Sequence, residues 1–185
     1  MRLVILGGPG AGKGTQAQML SVNLNIPCIS IGDILRETIA AKTELGNKAK
    51  PFVEKGELVP DQTMIAFVKK RLLFPDISNG WVIDGYPRTA FQAEELDFLL
   101  DELEQSLNWA IYINVSEDIM FSRSLERSRH DDTVEIVQRR INLFHQRTIP
   151  ILEYYDRRKR LLTIPGDRTL ETVQENILSS LVTIN

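Results

Sequence analysis

The fold of this chain is decided by one stretch near its N-terminus, Leu3-Val4-Ile5-Leu6-Gly7-Gly8-Pro9-Gly10-Ala11-Gly12-Lys13-Gly14-Thr15. Four consecutive aliphatic residues without polar alternation are typical of a strand buried on both faces of a parallel sheet, and residues 16–23 favour a following helix. The glycines between them allow the backbone to curl so that successive N–H groups point at phosphate oxygens. Lys13 and the helix N-terminus add positive charge. The stretch therefore predicts a P-loop, which binds phosphate.

One position departs from the P-loop pattern. The pattern has Ser or Thr directly after the lysine, whereas here Gly14 separates Lys13 from Thr15. In many P-loop proteins that hydroxyl holds magnesium, so we expect this chain to hold the metal differently. A glycine-rich turn that binds nothing is the alternative, but the strand, the loop and the helix all agree with the motif.

Composition indicates an ordinary globular domain. A chain of 185 residues with 43% hydrophobic residues can bury one core, and its net charge of −3 gives no overall attraction to nucleic acid or membrane. The single cysteine, Cys28, excludes an internal disulfide and a cysteine-rich zinc cluster. No apolar run approaches the roughly 20 residues of a membrane span, so the sequence predicts one cytoplasmic domain, residues 1–185.

Basic residues are concentrated in one region. Residues 123–160 contain ten of the 22 lysines and arginines, and nine of these ten are arginine. Because the planar guanidinium suits phosphate better than an ammonium group, the bias favours an anion site. The run 157–160 is more simply a solvated helix end, and Arg139 and Arg147 are interpreted as surface residues.

Strands and helices alternate along the whole chain. Predicted strands cover residues 3–6, 25–30, 81–84, 110–115 and 161–164. Predicted helices cover residues 16–23, 45–54, 63–73, 89–103, 117–126, 133–159 and 170–181, with another beginning at 31–36. Asp33 is placed to cap the helix at 31–36, and Pro150 is expected to bend the long helix. This order predicts an α/β fold, a P-loop NTPase-type five-stranded parallel sheet flanked by helices.

A carboxylate ends the third predicted strand. Trp81-Val82-Ile83-Asp84 runs directly into Gly85-Tyr86-Pro87-Arg88, and ligands of parallel α/β sheets bind at the carboxyl ends of strands. In P-loop enzymes an Asp at this place holds magnesium or its waters. A plain turn residue is the alternative for Asp84.

Three further motifs keep a recognisable order and spacing. They are Ile31-Gly32-Asp33-Ile34-Leu35-Arg36, then Asp84-Gly85-Tyr86-Pro87-Arg88-Thr89 with Gln92, and then arginines flanking Asp131-Asp132. With the P-loop, they make essentially the whole chain resemble the short-lid form of adenylate kinase, in the nucleoside monophosphate kinase family. The resemblance implies reversible transfer of the γ-phosphoryl group of ATP to AMP, giving two ADP, with Mg²⁺. The acceptor is an ionised phosphate oxygen, so no general base is needed.

The resemblance also implies roles for individual residues. The catalytic residues would be Lys13, Arg88, Arg123, Arg129 and Arg140. ATP would contact Gly10, Ala11, Gly12, Lys13, Gly14, Thr15, Arg127 and Arg168. AMP would contact Ile31, Arg36, Glu57, Leu58, Val59, Gly85, Tyr86, Pro87, Arg88, Gln92, Arg129 and Arg140. Asp84 and Asp33 would hold magnesium through water.

Two segments acquire names from the resemblance. Residues 30–59 would form the acceptor insertion, which binds the monophosphate, and residues 126–132 would form the short lid. Because the lid is only a few residues long, arginines must organise closure over the substrates. The short-lid resemblance favours a monomer.

The identity of the acceptor base depends on two conflicting signals. The family usually has threonine where this chain has Ile31, and related pyrimidine monophosphate kinases also lack that hydroxyl. Gln92 matches the family glutamine that contacts adenine. A lost neutral hydrogen bond costs only about 1 kcal/mol, whereas a base-binding amide discriminates more strongly, so we predict AMP, bound modestly less tightly because of Ile31.

Two other functions remain open at the level of sequence. One is a UMP or CMP kinase of the same fold. The other is a P-loop protein that binds a nucleotide as a switch without turnover. A switch would have no reason to retain Arg36, Arg88 and Gln92 as a second nucleotide pocket.

Overall fold

The computed structural model of the chain describes residues 1–127 and 132–183, the last of these by its backbone alone. Within these ranges, five strands alternate with nine α-helices. The strands are β1 (Arg2–Leu6), β2 (Cys28–Ser30), β3 (Trp81–Asp84), β4 (Trp109–Asn114) and β5 (Leu161–Pro165). The helices are α1 (Lys13–Leu24), α2 (Ile31–Ala40), α3 (Glu44–Glu54), α4 (Asp61–Arg71), α5 (Ala90–Glu102), α6 (Glu117–Glu126), α7 (Val134–Leu143), α8 (Ile149–Arg157) and α9 (Leu170–Thr183).

The five strands form one parallel sheet in the order β2-β3-β1-β4-β5, which confirms the predicted fold class. Ile5 pairs with Asp84 across β1 and β3, and Ser30 pairs with Asp84 across β2 and β3. The carboxyl ends of these three strands are therefore side by side. β1 lies where the strand order reverses, so the P-loop that follows it emerges at the place where such sheets bind ligands.

The core explains the unbroken aliphatic run in β1. Leu3, Val4, Ile5 and Leu6 are all at most 2% exposed, because helices cover both faces of the sheet. On the helical layers, α1 contacts α9, and α5 contacts both α4 and α8. Among the described helices, none has the length and apolar character needed to cross a membrane.

The junction between β2 and α2 differs from the prediction. Asp33 does not cap α2; Ser30, the last residue of β2, is the N-cap, and its hydroxyl accepts a hydrogen bond from the Asp33 backbone N–H. Strand and helix thus follow each other without a loop. Asp33 lies in the first turn, where its negative charge still favours the helix N-terminus.

The predicted long helix over residues 133–159 is interrupted. Thr133 caps α7 as expected, but Phe144–Thr148 form a π-helical segment before α8 begins. Pro150 lies at the start of α8 and has no N–H to donate to the preceding turn. Because the α-helical hydrogen bond is impossible there, the preceding turn widens into the π-helical segment. The irregularity therefore precedes Pro150 rather than following it.

Candidate active site

A cavity of about 960 Å³ lies at the carboxyl ends of the strands. The P-loop, α2, the end of α3, α6, α7 and the segment after β5 contribute to its walls. Most of the predicted site residues line it: Gly10, Gly12, Lys13, Gly14, Thr15, Asp33, Arg36, Glu57, Leu58, Asp84, Gly85, Pro87, Arg88, Arg123, Arg127, Arg140 and Arg168. Ala11 is buried beneath the loop, and Arg129 lies outside the described residues.

The P-loop has a conformation that only glycine adopts easily. Gly12 is the N-cap of α1 with a φ of 91°, in the left-handed region. The Lys13 ammonium group donates a hydrogen bond to the carbonyl oxygen of Gly8, at 2.7 Å, across the loop. The lysine charge is therefore held over the P-loop backbone, beside the positive N-terminal end of α1.

The unusual Gly14 lies against Asp84. A Cβ atom at position 14 would lie 3.3 Å from Asp84 Oδ2, tighter than most contacts of a Cβ atom, so glycine leaves the carboxylate room. Asp84 Oδ1 is buried and accepts no hydrogen bond from the residues that the structure describes. A buried carboxylate oxygen without a donor suits a hydrated cation, so these residues fit a magnesium ion held through water. The described residues contain no group of three or more potential metal ligands from His, Cys, Asp and Glu.

Arg88 lies four residues after Asp84, and a hydrogen bond to the backbone fixes its side chain. Its Nε donates a hydrogen bond to Gly85 O at 2.9 Å, and its side chain faces the solvent of the cavity. Although the Arg88 side chain is exposed to the cavity, the surrounding protein atoms displace part of its hydration and lower its pKa. Asp84 opposes that shift of the pKa, and the positive charges of Arg140 and Arg36 add to it. An arginine remains charged at neutral pH in spite of such a shift, so the repulsion favours an anion between these groups.

Asp33 is bonded to its own helix. Its carboxylate pairs with Arg36 one turn later and accepts a hydrogen bond from the Ser30 hydroxyl. Arg36 is brought to the cavity by this pair, since both residues line the wall. If Asp33 contacts the waters of magnesium as predicted, the same carboxylate would also remain paired with Arg36.

Two predicted arginines converge on an acid that the sequence interpretation had not singled out. Arg127 binds Asp132 through two hydrogen bonds of 3.0 Å, and Arg140 donates to the same carboxylate at 2.8 Å. The Asp132 side chain is completely buried. The arginines flanking Asp131-Asp132 were a usable signal, but the spacing alone does not tell which of the two acids faces them.

The segment after β5 is tied to two elements. Arg123, on α6, donates to Gly166 O at 3.0 Å, and the buried Gln16 of α1 donates to Leu170 O at 2.9 Å. These bonds hold Arg168 and Leu170 at the cavity, where both side chains are exposed. An exposed leucine beside an arginine is a suitable surface for a flat aromatic base.

A smaller cavity of about 40 Å³ adjoins the large one, and the two share six lining residues: Leu35, Val53, Glu57, Leu58, Gly85 and Arg88. It brings together the predicted residues that the large cavity lacks, which are Ile31, Val59, Tyr86 and Gln92. Ile31 is 1% exposed and offers only an apolar wall.

The Gln92 amide in this small cavity is fixed at both ends. Its Oε1 accepts from the Arg88 N–H at 2.8 Å, and its Nε2 donates to Asp61 Oδ1 at 2.7 Å. The sequence did not single out Asp61, which precedes the predicted helix over residues 63–73 and is in fact the first residue of α4.

Arg139 was interpreted as a surface residue, and its side chain is half-exposed. It nevertheless donates to Lys55 O at 2.9 Å and lies 3.7 Å from the Glu57 carboxylate. The segment that follows α3 is thus in contact with α7.

Known proteins resemble this chain over most of its length. The family model described as "Adenylate kinase" matches residues 5–160. The chain is 61% identical over 182 residues to adenylate kinase 2 of Nostoc sp., covering 98% of this chain and 99% of that protein. It is 53% identical over 181 residues to adenylate kinase 2 of Synechocystis sp., covering 98% and 100%. Adenylate kinase 1 of Nostoc sp. is 44% identical over 180 residues.

Proposed function

Because this chain belongs to the adenylate kinase family and converts ATP and AMP reversibly into two ADP, we propose which of its cavities binds each nucleotide. The ATP phosphates lie on the P-loop, with Lys13 at the β and γ phosphates and Arg168 and Leu170 beside the adenine. AMP lies on the other side, with its phosphate between Arg36 and Arg88. Its base occupies the smaller cavity, against Ile31, Glu57, Leu58, Val59, Tyr86 and Gln92.

One observation carries this division: Arg88 lines both cavities. Its backbone N–H is bonded to Gln92 in the base pocket, and its guanidinium group faces the phosphate region. Among the six residues shared by the two cavities, Arg88 therefore connects recognition of the acceptor base with the place of phosphoryl transfer. Since residues 30–59 provide one wall of both cavities, we assign them as the acceptor insertion and residues 126–132 as the short lid.

The mechanism needs charge neutralisation and orientation rather than proton transfer. The attacking oxygen of AMP is already ionised, and the transferring group carries negative charge on its three equatorial oxygens. We propose that Lys13, Arg88, Arg123 and Arg140 neutralise that charge. The family resemblance gives the same role to Arg129, which lies outside the described residues. Cations held in place before the reaction stabilise the charge of the transition state without the reorganisation that water would need.

Members of this family generally use a magnesium nucleotide, and bound magnesium neutralises charge on the phosphates. We propose that Asp84 and Asp33 hold it through water. The unpaired Asp84 Oδ1 supports this role.

Asp84→Asn should raise the magnesium concentration needed for half-maximal rate by about tenfold, because an amide holds the waters of a cation less strongly than a carboxylate. Initial rates at saturating ATP and AMP over a range of free magnesium measure this. Asp76→Asn, at an exposed pair with Arg71, is the matched control and should behave as wild type. An unchanged magnesium dependence in Asp84→Asn would remove Asp84 from the metal site.

The acceptor assignment is tested by comparing AMP, GMP, UMP and CMP as substrates with ATP in a coupled assay. We expect Gln92→Ala to reduce the preference for AMP over UMP by about 10²-fold, because the pocket then no longer penalises a mismatched base edge. Gln138→Ala, an exposed residue on α7, should leave the preference unchanged. If Gln92→Ala keeps the wild-type preference, the adenine lies elsewhere.

The chain is proposed to act as a monomer. The edge strand β2 has only three residues, and the other edge strand, β5, ends at Pro165, which has no N–H for pairing with another strand.

A further inference from the structure

We propose that Asp61 is a positioning residue that fixes the Gln92 amide in one orientation and so makes the pocket select bases with an amino group over bases with an oxo group. The inference rests on the proposed contact between Gln92 and the base. It concerns a residue that itself belongs to neither of the two cavities.

The fixed orientation follows from the two partners of the amide. An ionised carboxylate can only accept a hydrogen bond, and a backbone N–H can only donate one. Asp61 Oδ1 faces Gln92 Nε2 at 2.7 Å, and the Arg88 N–H faces Gln92 Oε1 at 2.8 Å. Rotating the amide by 180° would place two acceptors together at one end and two donors at the other.

Asp61 is itself held in place from a second helix. Thr89, the N-cap of α5, donates from its hydroxyl to the same Asp61 oxygen at 3.3 Å. Gln92 lies in the first turn of α5 and is 2% exposed, and Asp61 is the first residue of α4. Because the amide is buried, leaving either of its ends without a partner would be costly, and the arrangement is rigid.

The anchored amide leaves one N–H and one lone pair of Oε1 for a ligand. Adenine presents the complementary pair, since N1 accepts and the 6-amino group donates. Hypoxanthine and guanine present the reverse, because O6 accepts and N1–H donates. Among pyrimidines, cytosine matches the adenine pattern at N3 and N4, and uracil does not. A glutamine free to rotate would accept either class of base.

The test is the ratio of kcat/KM for AMP to kcat/KM for IMP, two substrates that differ only at ring positions 1 and 6. Asp61→Asn keeps the shape of the side chain but can donate as well as accept, so the Gln92 amide can turn. The Arg88 N–H still opposes the turned amide. We therefore expect the AMP to IMP ratio to fall about tenfold, with KM for ATP unchanged.

Asp118→Asn is the matched control. Asp118 also lies in the first turn of a helix, α6, and it is exposed. It reports the loss of one acidic first-turn charge without any contact to Gln92, and its AMP to IMP ratio should equal that of wild type.

The possible results separate this inference from the function on which it rests. A fall in the AMP to IMP ratio in Asp61→Asn but not in Asp118→Asn supports the inference. Equal losses for AMP and IMP, or an unchanged ratio while Gln92→Ala lowers it, would overturn the role of Asp61 and leave that of Gln92 intact. If Gln92→Ala also leaves the ratio unchanged, both assignments fail.

A measurement on the unmodified protein covers the case in which Asp61→Asn does not fold. The anchored amide predicts that wild type uses AMP better than IMP, and CMP better than UMP. A preference for UMP over CMP would contradict a fixed donor and acceptor pattern.

Discussion

Replacing Lys13 by alanine is expected to lower kcat about 10³-fold while leaving the fold intact. The ammonium group lies over the P-loop, where it is proposed to meet the phosphates between which the bond breaks. Loss of one preorganised donor of this kind lowers the rate by roughly 10²–10³-fold. The substitution of Lys13 also removes a full positive charge. The side chain belongs to the wall of an open cavity rather than to the core, so its removal leaves no internal void.

The experiment measures kcat at saturating ATP and AMP, together with the thermal unfolding midpoint. Lys70→Ala is the control, because Lys70 is exposed on α4 and remote in role from the P-loop. It should retain wild-type kcat. A folded Lys13→Ala enzyme with near-normal turnover would exclude the proposed phosphate contact.

Arg88→Lys should lose about 10²-fold or more in kcat although the charge is conserved. The guanidinium group is fixed by the bond from Nε to Gly85 O, which directs its remaining donors into the cavity. A lysine ammonium cannot make that bond and bind two phosphate oxygens in a planar, bidentate manner. The backbone bond to Gln92 is independent of the side chain, so recognition of the base should be largely preserved.

The Arg88→Lys substitution should therefore affect turnover and base preference differently. kcat should fall, whereas the preference for AMP over other monophosphates should stay close to wild type. Arg157→Lys is the matched control, since Arg157 pairs with Glu153 on the exposed side of α8 and should tolerate a point charge. An Arg88→Lys enzyme that keeps its turnover would place the transferring phosphate away from Arg88.

Local patterns were sufficient to predict β1 and β3. Leu3 to Leu6 are apolar without alternation because helices cover both faces of the sheet, and Trp81–Asp84 has the predicted bounds. The cap of α2 was not predictable in this way, because Ser30 and Asp33 are both good capping residues. The choice depends on where β2 stops pairing with β3, which is a tertiary property.

In the candidate site, too, residues in local motifs could be predicted, whereas contacts between distant parts of the chain could not. Many of the residues that line the cavity stand in motifs of fixed spacing, so the sequence and its family resemblance were enough to name them as candidates, whereas Leu143, Phe144 and Thr148 were missed. Asp61 and Gln92 are 31 residues apart, and nothing in either neighbourhood indicates that the two side chains meet. The π-helical segment before Pro150 was missed for a different reason, because a proline signals a disturbed helix without specifying its form.

The cations around the large cavity also affect how fast nucleotides arrive. Seven described lysine and arginine residues line it against three acids, although the whole protein carries a net charge of −3. The rest of the surface therefore repels a nucleotide while the mouth of the cavity attracts it, which favours productive encounters. Dissolved salt weakens this attraction over distances beyond about 8 Å at physiological ionic strength. The association rate should thus depend on ionic strength more strongly than the rate of the chemical step, in which the charges are in direct contact.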